Sequence, residues 1–144
     1  MFNWNGKTGD EWRATPAACA TPEDFLAHLN AVNDESFVAC LDLGHAEIVG
    51  EDISAPQMIK ALGKHLQALH IHDNNKIKDL HQIPFSGAID FDPIAKALKE
   101  IDYQGYFTLE ADTHLKAFTE ENIFDGIKEL AAAVKKLVTM FENY

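Results

Sequence analysis

Four short stretches between Asp42 and Glu110 put metal-ligand side chains where apolar runs stop: Asp42-Leu-Gly-His45, His70-Ile-His72-Asp73, Asp79-Leu-His81 and Thr108-Leu-Glu110. Carboxylate and imidazole together make a mixed oxygen and nitrogen donor set. Such a set suits a divalent Mn, Zn, Co or Fe ion better than the all-oxygen shells of Mg or Ca. Asp42 and His45 are three residues apart, so at an extended strand end they meet only if the chain turns at Leu43-Gly44, which Gly44 makes easy. A capping aspartate beside a surface histidine explains the same pair equally well. His70 and His72 alternate around Ile71 and share one side of a strand. Burying both without partners is costly. His70 is therefore read as a ligand and His72 as a residue behind it or against substrate, with a core histidine bonded to a backbone carbonyl the plainer reading for one of the two. Asp79 and His81 bracket Leu80 in a polar loop, where alternate side chains can converge on one ion but also occur by chance. Glu110 follows Tyr106-Phe-Thr-Leu109, and an ionised carboxylate at that depth wants a cation or a donor. It is a candidate metal ligand, general base, or both. Taken singly, each residue has an ordinary structural explanation; the argument for chemistry is that three strand ends deliver such groups together.

The elements that must position these residues can be read from pattern. Residues 1–20 are punctuated by Asn3, Asn5, Gly6, Gly9 and Pro16, which predicts a long irregular N-terminal loop packed in part through Trp4 and Trp12. Thr21-Pro22-Glu23-Asp24 offers a capping hydroxyl, a proline at the first helical position and an acidic first turn, and the helix it opens is predicted to end near Asn33. Phe37 to Leu41 is a continuous apolar run, which suits a strand covered on both faces, with Cys40 a buried thiol. Ser54-Ala-Pro-Gln57 opens a helix closed by Gly63, and Leu66 to Ile71 is the next strand. Asp90 or Asp92 caps a third helix, Tyr106 to Leu109 is a third strand, and a last helix runs from about Asn122 to Phe141 with Ile123, Ile127, Leu130, Val134, Leu137 and Val138 on one side. Strands alternating with helices imply a parallel sheet. Ligand-type residues at the ends of such strands are what a (β/α) barrel brings to one site. With only three βα repeats, the predicted fold is α/β, a partial barrel of roughly half the full repeat count, in one domain spanning residues 1–144.

Charge and composition narrow the function classes. Twelve basic against twenty-three acidic residues leave a formal net charge of −11, and Arg13 is the single arginine, so no nucleic acid is expected as a partner. No stretch is long and apolar enough for a membrane span and no leader pattern opens the chain, which predicts a cytoplasmic protein with no membrane partner. Cys19 and Cys40 form no metal-type pair, and no structural disulfide is expected. No glycine-rich phosphate loop follows any strand, so nucleotide binding is not indicated.

The succession Cys40-Leu-Asp-Leu-Gly-His45, Leu69-His-Ile-His-Asp-Asn74, Asp79-Leu-His-Gln-Ile-Pro-Phe-Ser-Gly87, Ile89-Asp-Phe91 and Phe107-Thr-Leu-Glu110 resembles the C-terminal half of the xylose isomerase-like TIM barrel superfamily, from about Thr21 to Ala117. The resemblance implies a metal-dependent aldose–ketose isomerase or ketose epimerase as the intact parent, acting on a sugar or sugar phosphate through an enediolate. By the same resemblance Asp42, His70 and Glu110 are three of four ligands of the principal metal, and Glu110 is also an acid/base residue. His45 then contacts substrate, or joins Asp79 and His81 around a further zinc if the parent is an endonuclease IV-type phosphodiesterase. The family's fourth ligand, a glutamate after the fifth strand, would fall before Met1. The resemblance therefore implies a half-barrel that is inactive alone, or a non-catalytic half-barrel that self-associates into a homo-oligomer through its open sheet edges.

Overall fold

The computed structural model describes residues 18–48 and 53–144 with their side chains, and within the first 17 residues only the backbone of four two-residue strands. Those strands pair antiparallel: β1 (Phe2–Asn3) with β4 (Thr15–Pro16), and β2 (Lys7–Thr8) with β3 (Glu11–Trp12). The packing expected of Trp4 and Trp12 falls outside the described residues.

Helix α1 (Pro22–Val32) begins and ends where its caps dictate. The Thr21 hydroxyl accepts the Asp24 N–H at 3.2 Å, and Asn33 adopts a left-handed conformation (φ 47°) that lets its N–H reach the Leu29 carbonyl at 3.0 Å. Strand β5 (Ala39–Asp42) runs into a single helical turn, α2 (Leu43–Ala46). Helix α3 (Ala55–Leu62) follows, then β6 (Leu66–Ile71), α4 (Phe91–Glu100), β7 (Tyr106–Leu109) and α5 (Ile123–Glu142). Ser54 does not cap α3 with its side chain; the Glu47 carboxylate accepts the Ala55 N–H instead, at 2.9 Å. Of the two aspartates that could cap α4, Asp90 does so, accepting the Asp92 N–H at 3.1 Å.

Strands β5, β6 and β7 form one parallel sheet in that order. The α/β fold is that of a partial barrel. Register sorts the side chains by face, because neighbours along a strand point to opposite sides. Leu41, Leu69 and Phe107 align across the sheet on the face covered by helices, and Leu41 and Leu69 join Ile59, Ile94, Leu98 and Leu137 in the core. On the opposite face Cys40, Ala68 and Tyr106 align, followed by Asp42, His70 and Thr108. That second face is bare: Tyr106 is 78% exposed, and Phe37 and Val38, just before β5, are each 47% exposed.

The bare face overturns two expectations. The apolar run at residues 37–41 is not a strand covered on both sides, and Cys40 is exposed. A continuous hydrophobic run is the signature of a strand inside a closed barrel, but the described residues cover only the helix-facing side. In α5 the stripe is likewise narrower than its pattern, since Leu137 is fully buried while Ile127 is 46% exposed. Both cysteines are free thiols.

Exposure does not make Cys40 reactive. Partial burial of its sulfur pushes the thiol's pKa up, and the charges of Asp42 and Glu110 push it further in the same direction. A smaller thiolate fraction slows alkylation. In a Cys19→Ser background, Cys40 is expected to react with iodoacetamide at pH 8 more slowly than an unperturbed thiol, and faster once Glu110→Gln removes one of the charges. Equal rates in the two backgrounds would contradict this electrostatic reading.

Candidate metal centre

The site is built where the three parallel strands end. Asp42 closes β5 and caps α2, its Oδ1 accepting the His45 N–H at 2.8 Å. The turn at Leu43-Gly44 swings His45 back until its Nδ1 lies 3.1 Å from Asp42 Oδ2. Gly44 is required there by close approach: a Cβ would overlap the imidazole of His72. Its carbonyl also accepts the Asn74 side-chain N–H at 2.9 Å, tying the β5 and β6 ends together.

His70 and His72, read from sequence as sharing one side, join different groups. His70 stays half-exposed, with its Nδ1 2.8 Å from Glu110 Oε2. His72 is fully buried, 0% exposed, with Nε2 3.0 Å from Asp42 Oδ1. Backbone pairing beyond β7, from the Glu110 N–H to the Ile71 carbonyl at 3.0 Å, sets Glu110 beside the end of β6. Asp42, His70 and Glu110 consequently offer one ligand atom each within 4.8 Å of one another. Two carboxylates and an imidazole at that spacing, partly open to solvent, are a donor set that fits a divalent cation with positions left for substrate.

The second group is more enclosed. His45, His72, Asp79 and His81 also place ligand atoms within 4.8 Å of one another. Asp79 is 3.1 Å from His45 Nε2 through Oδ2 and 3.0 Å from His81 Nε2 through Oδ1. The His81 ring lies flat on His72, with centroids 4.2 Å apart and planes 4° from parallel. Thr113 holds this loop by donating its hydroxyl to the carbonyls of Leu80 and His81.

The electrostatics around Asp42 favour an ionised carboxylate beside positively charged imidazoles. Burial works against ionisation of Asp42, but the hydrogen bonds and charges of His45 and His72 outweigh it and hold the carboxyl well below the usual range. Burial likewise pulls His45 down, and Asp42 and then Asp79 overturn that, lifting it to about 9. His72 is raised, its burial outweighed mainly by Asp42.

A cavity of about 300 Å³ opens beside the first group, walled by Phe25, Cys40, Ala46 and Met58 and floored by Asp42, His70 and Glu110. Sequence reading missed two features. Cys40 is part of this wall, a consequence of the bare sheet face. Asp73 is fully buried and accepts the N–H groups of Asn74, Gly87 and Ile89 at 2.8, 2.9 and 3.1 Å, so it builds the loop that carries Asp79 and His81. A third grouping, Cys19, Asp24 and His28 at the start of α1, is partly exposed, and no spacing signal in the sequence marked it.

Residues 8–137 match the family described as the xylose isomerase-like TIM barrel. The chain belongs to that family. Among its relatives is an uncharacterized protein of Sinorhizobium fredii, 30% identical over 126 residues, covering 83% of this chain and 39% of that protein. The inosose dehydratase of Clostridium botulinum is 30% identical over 102 residues, covering 58% of this chain and 34% of the enzyme. The chain thus spans little more than a third of the length of the curated relatives it matches. A D-tagatose 3-epimerase-like protein superposes with a TM-score of 0.64 at 24% identity, over 86% of this chain and 43% of that one, a likeness of fold. The D-allulose 3-epimerase of a Methylomonas species, solved in complex with D-allulose, superposes with a TM-score of 0.54 at 30% identity, over 67% of this chain and 31% of the enzyme. Among the described residues of this family member, no helix is long and apolar enough to cross a membrane.

Proposed function

We propose that this chain supplies the C-terminal half of a metal-dependent sugar isomerase or epimerase site. The observation that carries the reading is the convergence of Asp42, His70 and Glu110 from three adjacent strand ends beside a cavity. These three would hold the divalent ion, with Mn, Zn, Co or Fe suited to the mixed donors and Mg less so. When bound, the ion supplies polarisation of the sugar's carbonyl and adjacent hydroxyl oxygens. Glu110 takes the proton from the carbon next to the carbonyl, giving an enediolate, and returns it. His70, 2.8 Å from Glu110, orients that carboxylate. The substrate class is a small sugar or sugar phosphate, supported by the Methylomonas neighbour that holds D-allulose. The protein works in the cytoplasm, with neither nucleic acid nor membrane as partner.

One base has a definite consequence. Inversion at carbon needs proton handling on both faces, whereas a single carboxylate removes and returns a proton on the same face. The Mn²⁺-loaded chain in D₂O is therefore expected to exchange the proton beside a ketohexose carbonyl for deuterium without forming the epimer, as read by NMR. Light scattering on that sample should show a homo-oligomer, since the strand edges and the bare face carrying Tyr106 call for a cover. No exchange above the background of free Mn²⁺ would sink the catalytic reading, and a monomer at all concentrations would sink the self-association.

A second reading is an endonuclease IV-type zinc phosphodiesterase fragment. The gathering of His45, Asp79 and His81 favours it. A net charge of −11 with one arginine opposes it, because phosphate contacts rest on Lys and Arg.

A further inference from the structure

We infer that the cavity beside Asp42, His70 and Glu110 takes an unphosphorylated substrate with an apolar tail, of the class of a terminally deoxygenated ketose, and that Phe25, Cys40, Ala46 and Met58 set this preference. The inference rests on the proton-transfer reading of the strand ends and adds which molecules reach them. It begins with where two helices start. Helix α1 opens after Thr21 and α3 after Ser54, so Phe25 and Met58 are each the fourth residue of their helix, in the turn that borders the strand ends. Cys40 lies two residues before Asp42 on the same face of β5, and Ala46 closes the α2 turn. All four meet in one cavity of about 300 Å³.

Polar side chains are confined to the reacting end of that cavity. Asp42, His70 and Glu110 converge there. His45, the remaining polar residue, has one ring nitrogen 3.1 Å from Asp42 and the other 3.1 Å from Asp79, so its hydrogen bonding is directed to the protein. Among the described residues that line the cavity, none is Lys, Arg, Ser, Thr, Asn or Gln. The rest of the wall is aliphatic and aromatic carbon, with the weakly donating thiol of Cys40.

Different substrate tails meet that wall differently. A phosphate group is bound through cationic side chains or converging N–H donors, and in this cavity it would lie beside two carboxylates with no side-chain cation among the described lining residues. Sugar hydroxyls give up water for a surface whose side chains cannot replace their hydrogen bonds, whereas a methyl group gains by leaving water. One added hydroxyl in an apolar pocket is disfavoured by about ten- to a hundredfold. The polar end therefore serves the head of the molecule, a carbonyl and its neighbouring hydroxyl, and the wall selects the tail.

The test is ligand binding by the full chain loaded with Zn²⁺, measured by saturation-transfer NMR with three probes that share one head: a 6-deoxyketohexose, the parent ketohexose and its 6-phosphate. The deoxy sugar is expected to bind about tenfold or more tighter than the ketohexose, with saturation strongest at its methyl group, and the phosphate should not compete with it. Cys40→Asn, at an exposed wall position, should cut the gap between the first two probes to about threefold or less, because the amide can donate to and accept from a hydroxyl. Phe25→Ala should weaken the deoxy sugar and leave the ketohexose nearly unchanged. Equal affinities for the deoxy sugar and its parent, tightest binding of the phosphate, no binding of any probe, or a gap that neither variant alters would overturn the proposal. Deuterium exchange by the Mn²⁺-loaded chain is read separately. A binding preference without exchange keeps the substrate class and removes the proton transfer, and exchange without the preference does the reverse.

Discussion

Replacing Glu110 with Gln is expected to reduce deuterium exchange by the Mn²⁺-loaded chain by roughly two to four orders of magnitude, the usual contribution of a positioned general base. That is about 3–5 kcal/mol of barrier. The substitution is nearly isosteric, and the backbone of residue 110 is held independently, its N–H on the Ile71 carbonyl and its carbonyl accepting from His81. The fold should survive. What is lost is a negative charge proposed to serve both the ion and the proton. Elemental analysis separates the two effects. At Mn²⁺ concentrations that restore full occupancy, a base role predicts that exchange stays low, whereas a role only as ligand predicts recovery. His70→Gln supplies the converse case: it removes one donor yet keeps the carboxylate, so its exchange should return as Mn²⁺ is raised. Wild-type exchange by a fully folded Glu110→Gln would end the case for Glu110 as the base.

The same residues show which parts of the molecule were legible from sequence. Helix α1 was written in its ends, because a Thr-Pro start and an Asn that tolerates φ 47° act locally. Strands β6 and β7 were legible for the same reason, as short apolar runs bounded by polar residues. The placement of the strand-end residues could be read as well, because a parallel register automatically brings Asp42, His70 and Thr108 into one row. Depth and partnership could not. Nothing local says that His72 vanishes under Gly44 while His70, two residues earlier, remains half-exposed; that depends on the α2 turn folding over the end of β6. The exposure of Cys40 was hidden by a different cause. Hydrophobic patterning reports the surroundings for which a strand is suited, and the described residues cover only one face of the sheet.

Asp73 was also hidden, since it reads as one more ligand-type residue beside His72, and Asp73→Ala is expected to be the most destabilising single substitution in the site region. Its carboxylate accepts three backbone N–H groups, from Asn74, Gly87 and Ile89, while its own backbone exchanges hydrogen bonds with Gln82 at 2.8 and 2.9 Å. Alanine leaves those donors without their partner, the N–H groups of Asn74 and Ile89 in buried surroundings and that of Gly87 nearer the surface. An unmade buried hydrogen bond costs about 1–3 kcal/mol, so a loss of roughly 3–5 kcal/mol is expected even if water enters to satisfy one donor. For a domain whose total stability is about 5–15 kcal/mol, that is a large share. Asp73→Asn keeps the shape and one acceptor oxygen but turns an amide N–H toward a backbone N–H, and should cost about half as much. Urea denaturation of both variants measures the difference. A change within about 0.5 kcal/mol, the range of an ordinary surface substitution, would mean that Thr113 and the Gln82 bridge hold the loop without the carboxylate.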